Sequence, residues 1–355
     1  MSATFHQRFA RLLRLEGPQP VSRLMAEAGA HYYATRDPFG AAGDFITAPE
    51  VSQMFGELLG LWCADLWDRM GRPRPFRLVE LGPGRGTLMR DGLRAIERAL
   101  PPCRAAATVH LVETSPVLRQ QQRSTLGDAE TAWHDDLAAL PPGPAIVLAN
   151  EFLDALPVRQ FQRMPTGWHE RLVAAADDDS LHFALSPALR DPAAALRPPH
   201  LAAPVGAIVE PSPAREAVVE QLARHLVAEG GAALLIDYGS ATSGTGDTLQ
   251  ALQAHRPVSP LQALGEADLT SYVDFEPLGE AARRAGARVS GPVGQGAFLA
   301  AIGIAARAGA LQRAAPERAA EIAAQHARLT AADQMGRLFL VLGIANPTTP
   351  PLAGF

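Results

Sequence analysis

The chain has 355 residues, 47% of them hydrophobic and 19% charged, with a formal net charge of −5, which describes a folded α/β-sized core and excludes wholesale disorder. All basic side chains are arginine, so a P-loop or a pyridoxal Schiff base, each of which needs a lysine, is excluded. No basic surplus exists to gather nucleic acid, Cys63 and Cys103 make neither a disulfide framework nor a zinc site, and no apolar run approaches a membrane span.

Along the chain, Phe5 to Leu15 reads as an amphipathic helix, with Phe5, Phe9, Leu12 and Leu13 on one face. Its three arginines give it a faint transit-peptide character, but the amphipathic reading is better, and a cytoplasmic location is expected over an organelle such as the mitochondrial matrix. Helices are predicted over Val21 to Ala28 and Val51 to Met70. The segment between them, "YYATRDPFGAAGDFITAPE" from Tyr32 to Glu50, carries too many breakers for a helix and reads as a functional loop ordered by a ligand.

From Phe76 the pattern changes. Short apolar runs at Arg77 to Leu81, Thr108 to Val112, Ala145 to Ala149 and Ala232 to Ile236 alternate with helical stretches at Leu88 to Leu100, Pro116 to Leu126 and Arg215 to Glu229. Strand and helix in alternation imply a mostly parallel, doubly wound sheet. Phe161 to Leu185 departs from that rhythm and reads as a strand insertion, with Asp177 to Ser180 as its solvated tip. Ala287 to Val289 and Ala297 to Ile302 are expected to close the sheet as an antiparallel pair.

The strongest local signal is "LVELGPGRGTLMRDGLRA", Leu78 to Ala95. A strand ending in Glu80 is followed by Gly82, Gly84 and Gly86 before a helix, so backbone can approach a ligand closely. The spacing differs from the GxGxxG of dinucleotide sites and suits S-adenosylmethionine (SAM), whose amino acid end a glycine loop and an acid can hold. A nucleotide-dependent oxidoreductase or a purely structural turn remain alternatives. Glu113 ends the second strand, where an acid can accept hydrogen bonds from ribose hydroxyls of either SAM or NAD. Asp135 or Asp136 can accept the adenine amine, or be two acids in a solvated turn. Asn150 and Glu151 leave the fourth strand as a polar pair able to orient an amine or guanidine, with a structural turn as the alternative.

Three segments, "GDFITAPEVSQMFGELLGLW" (43–62), "VELGPGRGTLM" (79–89) and "ANEFLDALPVRQF" (149–161), together resemble the MidA-type SAM-dependent methyltransferases, as do "IDYG", "GDTLQA" and "DLTSYVDF" further on. The resemblance implies a class I, Rossmann-like methyltransferase fold that yields S-adenosylhomocysteine (SAH). It also implies a protein arginine N-methyltransferase acting on a respiratory complex I subunit, with a homodimer left open. One position departs from the family's usual histidine: Tyr272. The expected layout is a helical cap over 1–74, half of the SAM-binding domain over 75–160, an insertion forming the acceptor cleft over 161–206, and the second half over 207–355 with a further insertion around 240–275. Gly82, Gly84 and Gly86 then shape the cofactor loop, with Glu80 at the amino acid end and Glu113 on the ribose, while Thr47, Ser52 and Gln53 close over the cofactor. Glu50 and Glu151 are the expected guanidinium clamps. Competing functions are a SAM-binding assembly chaperone and a small-molecule N- or O-methyltransferase; an NAD-linked oxidoreductase is disfavoured by the glycine spacing.

Overall fold

The structure, a computed structural model, describes residues 4–35 and 47–355. Its centre is a sheet whose principal strands are β1 (Phe76–Leu81), β2 (Ala107–Val112), β3 (Thr131–His134), β4 (Ala145–Asn150), β5 (Gly231–Ser240), β6 (Arg288–Gly294) and β7 (Phe339–Ala345). They run in the order β6-β7-β5-β4-β1-β2-β3. All are parallel except β7, which is antiparallel to both β5 and β6. The chain winds outward from β1 in one direction and from β4 in the other, so the crevice at their carboxyl ends is where an open sheet of this kind receives a ligand.

Both faces of the sheet are covered. Leu78, Ile146 and Leu234 point into one core layer with Leu58 and Trp62, while Val79, Val147 and Leu235 point into the other with Leu222 and Leu226. That is the alternation a pleated strand imposes. Cys63 and Cys103 are buried free thiols, and burial pushes Cys103 up to about 12. No described helix is long and apolar enough to cross a membrane.

Two expectations are corrected. Ala297 to Ala301 lie in a helix, Gln295–Ala301, with Ile302 at its C-terminal cap, and the antiparallel partner of β6 is β7, a strand the periodicity reading did not identify. The helix forms because Gln295, Gly296, Phe298 and Leu299 are all buried at helical spacing, whereas the seven residues of β7 are buried without interruption and so carry no alternation. The second correction concerns the expected loop. Tyr32 to Thr35 continue the helix Val21–Thr35, and Ala48–Val51 form a short helix of their own. The remainder of that loop, 36–46, lies outside the described residues.

The insertion after β4 makes a second, antiparallel sheet from Phe161–Met164, Gly167–Ala175, Leu181–Ala188 and Ile208–Val209, joined at one edge by Gln19–Pro20 of the cap. Phe9, Leu13 and Leu24 of the cap share one core with Val173 and with Leu269 of a small three-stranded sheet spanning Gln250–Thr270. The N-terminal helices also pack directly on a helix of the central layer. Helix Gln53–Arg69 crosses helix Thr87–Ala99 so closely that a Cβ on Gly60 would stand 2.5 Å from the Gly92 Cα. Only glycine allows that approach.

Candidate active site

β1 delivers Glu80 to the carboxyl edge, and the chain then turns through three left-handed glycines: Gly82 at φ +59°, Gly84 at +52° and Gly86 at +81°. Gly86 immediately precedes helix Thr87–Ala99. A side chain at Gly82 would place its Cβ 2.7 Å from the Phe152 ring. The loop is therefore held open by backbone geometry that other residues rarely adopt.

Two cavities meet at this loop. The larger, about 630 Å³, is lined by Tyr33, Leu81, Glu113, Leu137, Phe152 and Leu156 among others; the smaller, about 30 Å³, is lined by Thr47, Glu50, Glu80, Arg85 and Asn150. Gly82, Gly84 and Glu151 line both. The first has largely apolar walls with acids at its rim, which suits an adenosine; the second is small and polar. Among the described residues, Glu80 Oε2 and Asn150 Oδ1 are buried acceptors without a hydrogen-bond donor. Burial holds the Glu80 carboxyl up at about 8. Orphaned acceptors at the mouth of a glycine loop fit the ammonium of an amino acid ligand, so the residues present suit SAM.

Glu113 stands at the end of β2. Its Oε1 accepts from the Ser115 backbone at 2.8 Å, its Oε2 from Gln122 Nε2 at 3.2 Å, and burial raises it above the usual carboxylate range. Gln122 is fully buried and also donates to the Gly84 carbonyl at 2.7 Å, while its Oε1 accepts from Trp133 Nε1 at 2.8 Å. It thus locks the glycine loop to Glu113. The sequence reading missed this residue, although its position four residues after Leu118 on helix Pro116–Leu126 puts a polar side chain on a buried face. Asp135 and Asp136 both line the larger cavity. Asp135 is exposed and paired with Arg119 at 2.7 Å; Asp136 caps the short helix Leu137–Ala139.

Glu151 is the junction of the site. Its backbone is left-handed, φ +50°, in a non-glycine residue, a conformation that marks strain held for a purpose. Its Oε1 accepts from the Ala48 backbone at 2.8 Å and from Asn150 Nδ2 at 3.0 Å. Burial holds its carboxyl up at about 7, those hydrogen bonds partly offsetting it. Glu50 accepts from Thr87 Oγ1 at 2.5 Å, tying the helix Ala48–Val51 to the first turn after the glycine loop. Thr47 is buried against the smaller cavity. Ser52 and Gln53 are turned elsewhere: Ser52 caps helix Gln53–Arg69 through Met54, and Gln53 meets Arg94 at 3.4 Å. Behind Glu151 lie Asp154 and Asp237, both buried and raised chiefly by that burial, with Arg215 as the cation facing them. Arg215 bonds the backbone carbonyls of Leu153, Asp154, Ser271 and Tyr272, and so clamps two segments of the site edge together.

Comparison with known proteins agrees with this geometry. A family profile described as S-adenosyl-L-methionine-dependent methyltransferase matches residues 58–293. A mitochondrial protein of Drosophila melanogaster, named a protein arginine methyltransferase NDUFAF7 homolog, is 37% identical over an alignment covering 99% of this chain and 89% of its own. The mouse protein arginine methyltransferase NDUFAF7, mitochondrial, is 38% identical, with 83% and 73% covered. A Burkholderia thailandensis candidate methyl transferase, crystallised with S-adenosyl-homocysteine, superposes with a TM-score of 0.85 at 28% identity, covering 98% of this chain and 93% of that one. With the glycine loop, the β6-β7-β5-β4-β1-β2-β3 sheet and the paired cavities, these matches establish that the chain belongs to the MidA-type family of SAM-dependent methyltransferases.

Proposed function

We propose that the enzyme transfers the methyl group of SAM to a guanidinium nitrogen of a protein arginine. The observation that carries this reading is Glu151, held in a left-handed backbone with Oε1 fixed by Ala48 and Asn150, where the two cavities meet. Supporting it are the arginine methyltransferase names of the relatives and a buried edge on which Glu151 stands close to two further acids, Asp154 and Asp237. Such an edge favours a cation and disfavours a neutral acceptor. Gly82, Gly84, Gly86 and Glu80 would cradle the cofactor's amino acid end, Glu113 the ribose, and Asp135 or Asp136 the adenine. Thr47 and Glu50 would sit beside the amino acid end.

The cofactor supplies a methyl group activated on sulfur. Transfer forms one N–C bond, breaks the C–S bond with its electron pair going to sulfur, and releases one proton from the substituted guanidinium. Glu151 aligns the attacking nitrogen by a charge-assisted hydrogen bond, and a carboxyl near 7 is matched to take that proton. In this reading, turnover rises as pH increases through about 7, because the deprotonated form does the work. The resemblance to the family points to a respiratory complex I subunit as the first acceptor to try, and the relatives' mitochondrial names favour the matrix over the cytoplasm. The layout into cap, two half-domains and an insertion lining the acceptor cleft belongs to the same proposal.

The test pairs SAM titration with mass spectrometry of methylarginine in candidate protein substrates. Glu151→Gln keeps SAM affinity within about threefold and lowers turnover by about 100-fold or more, equivalent to about 2.7 kcal/mol of barrier. Full activity in the variant would reject Glu151 as the clamp. A wild-type enzyme that binds SAM and a partner yet methylates no protein would instead favour an assembly chaperone.

A further inference from the structure

Three aromatic rings line the carboxyl edge of the sheet beside Glu151. On β5, Ile236 pairs in register with Asn150, and its carbonyl accepts the Glu151 N–H at 2.8 Å. Tyr238, two residues further along, therefore stands next to the exit through which Glu151 leaves β4. Its register partner on β7 is Phe339, with ring centroids 5.6 Å apart. On the other side, Val273 pairs with Gly239, which brings Tyr272 against Tyr238 at a centroid distance of 5.4 Å and an interplanar angle of 86°. The result is a continuous aromatic row ending in Tyr272.

Tyr272 is the unusual member. The residue is 40% exposed, yet its backbone is pinned on both sides: the N–H donates to Thr248 Oγ1 at 2.9 Å and the carbonyl accepts from Arg215 Nη1 at 2.7 Å. Packed against Tyr238 and on a backbone fixed by a buried arginine, the residue still presents part of its surface to solvent. Arg215 holds the Tyr272 and Asp154 carbonyls together, which ties Tyr272 to the segment that follows Glu151. A ring face and a carboxylate at right angles to one another make a holder for a flat cation. The same chain already contains that pairing: Arg159 lies 4.8 Å over the Phe161 ring while Glu170 accepts from its Nε and Nη2 at 2.8 Å each.

We propose that Tyr272, supported by Tyr238, is the platform on which the acceptor guanidinium lies while Glu151 grips its edge. This deepens the arginine reading given above and rests on it. The platform would explain how an arginine is preferred over a lysine, since a planar guanidinium offers a face to the ring and an edge to the carboxylate together, whereas an ammonium offers neither plane.

The experiment titrates the full-length enzyme, saturated with SAH, with the tripeptide acetyl-Gly-Arg-Gly-amide and with its citrulline counterpart, which keeps the shape and loses the charge. The wild type is expected to bind the arginine peptide at least about tenfold more tightly than the citrulline one, as hydrogen bonds to charged groups require. Tyr272→Leu weakens the arginine peptide by about fivefold or more, whereas Tyr272→Phe stays within about twofold, the difference being the ring face. SAH affinity, unchanged in both variants, reports that they are folded. Equal peptide affinity in wild type and Tyr272→Leu would overturn the platform and leave the arginine reading standing. A wild type that does not distinguish arginine from citrulline would overturn both.

Discussion

Gln122 decides how the glycine loop and Glu113 stand to one another, because one side chain reaches the Gly84 carbonyl, Glu113 and Trp133. Gln122→Leu keeps the volume and removes every one of those bonds, leaving buried partners unsatisfied at about 1–3 kcal/mol each. SAH affinity measured by calorimetric titration should fall by about tenfold or more, which is 1.4 kcal/mol of binding free energy. An unchanged affinity in a folded variant would show that the loop and Glu113 are held by other means. At this scale the sequence was most legible where an acid stands at a strand end beside the glycine loop. Glu80, Glu113 and Glu151 could be named because each follows an apolar run. Gln122 was passed over within "RQQQR", where only its spacing of four residues from Leu118 singles it out from the other two glutamines. Ser52 and Gln53 were assigned to the cofactor from their place in a motif, but the break at Ser52 turns it to capping duty and sends Gln53 outward.

Elements are positioned by close backbone contacts as much as by apolar faces. Gly56 and Gly60 lie one turn apart on helix Gln53–Arg69 and meet Asp91 and Gly92 of the helix that begins at the glycine loop. A methyl group at Gly60 would meet backbone atoms of Gly92 at 2.5 Å, and backbone cannot step aside as a flexible side chain can. Gly60→Ala should therefore cost about 1–3 kcal/mol of stability by overpacking, measurable as a shift in the denaturant midpoint. A variant as stable as wild type would mean that the two helices can separate without loss. The parallel strands and their helices were legible because each apolar run ends at a polar or glycine residue. β7 was not, because "FLVLGIA" has neither alternation nor a breaker at its start, and its place between β5 and β6 depends on pairing far along the chain. The helix Gln295–Ala301 was mistaken for that missing strand: a short apolar run bounded by glycines looks the same in either conformation.

At the scale of the whole molecule, folding buries carboxyls that prefer to stay protonated until a ligand arrives. Glu80 and Glu151 are raised by burial to about 8 and about 7, against about 4.3 for an unfolded glutamate. Asp237 and Glu113 are raised in the same direction. Across the interval from about 4.3 up to 7 or 8 the folded state binds protons that the unfolded state has already lost, so the stability these groups contribute is complete at low pH and drains away as pH rises through their folded values. The unliganded enzyme should accordingly melt at progressively lower temperature from pH 7 to pH 8, above the range in which His110, His134, His200 and His225, lowered by burial, act in the opposite sense. On the proposed assignment of Glu80 to the cofactor's amino acid end, binding reverses the requirement there, because a cationic ammonium beside it favours the ionised form. SAH affinity should therefore grow with pH over the same interval, the complex should release a proton as it forms, and the SAH-induced rise in melting temperature should be larger at pH 8 than at pH 6. Glu80→Gln, neutral at every pH, should keep the fold, weaken SAH, and abolish the growth of the SAH effect with pH. Thermal melts of both proteins with and without SAH at pH 6, 7 and 8 decide the matter. A ligand shift that is flat in the wild type, or that grows toward acid, would show that Glu80 does not meet the charged end of the cofactor.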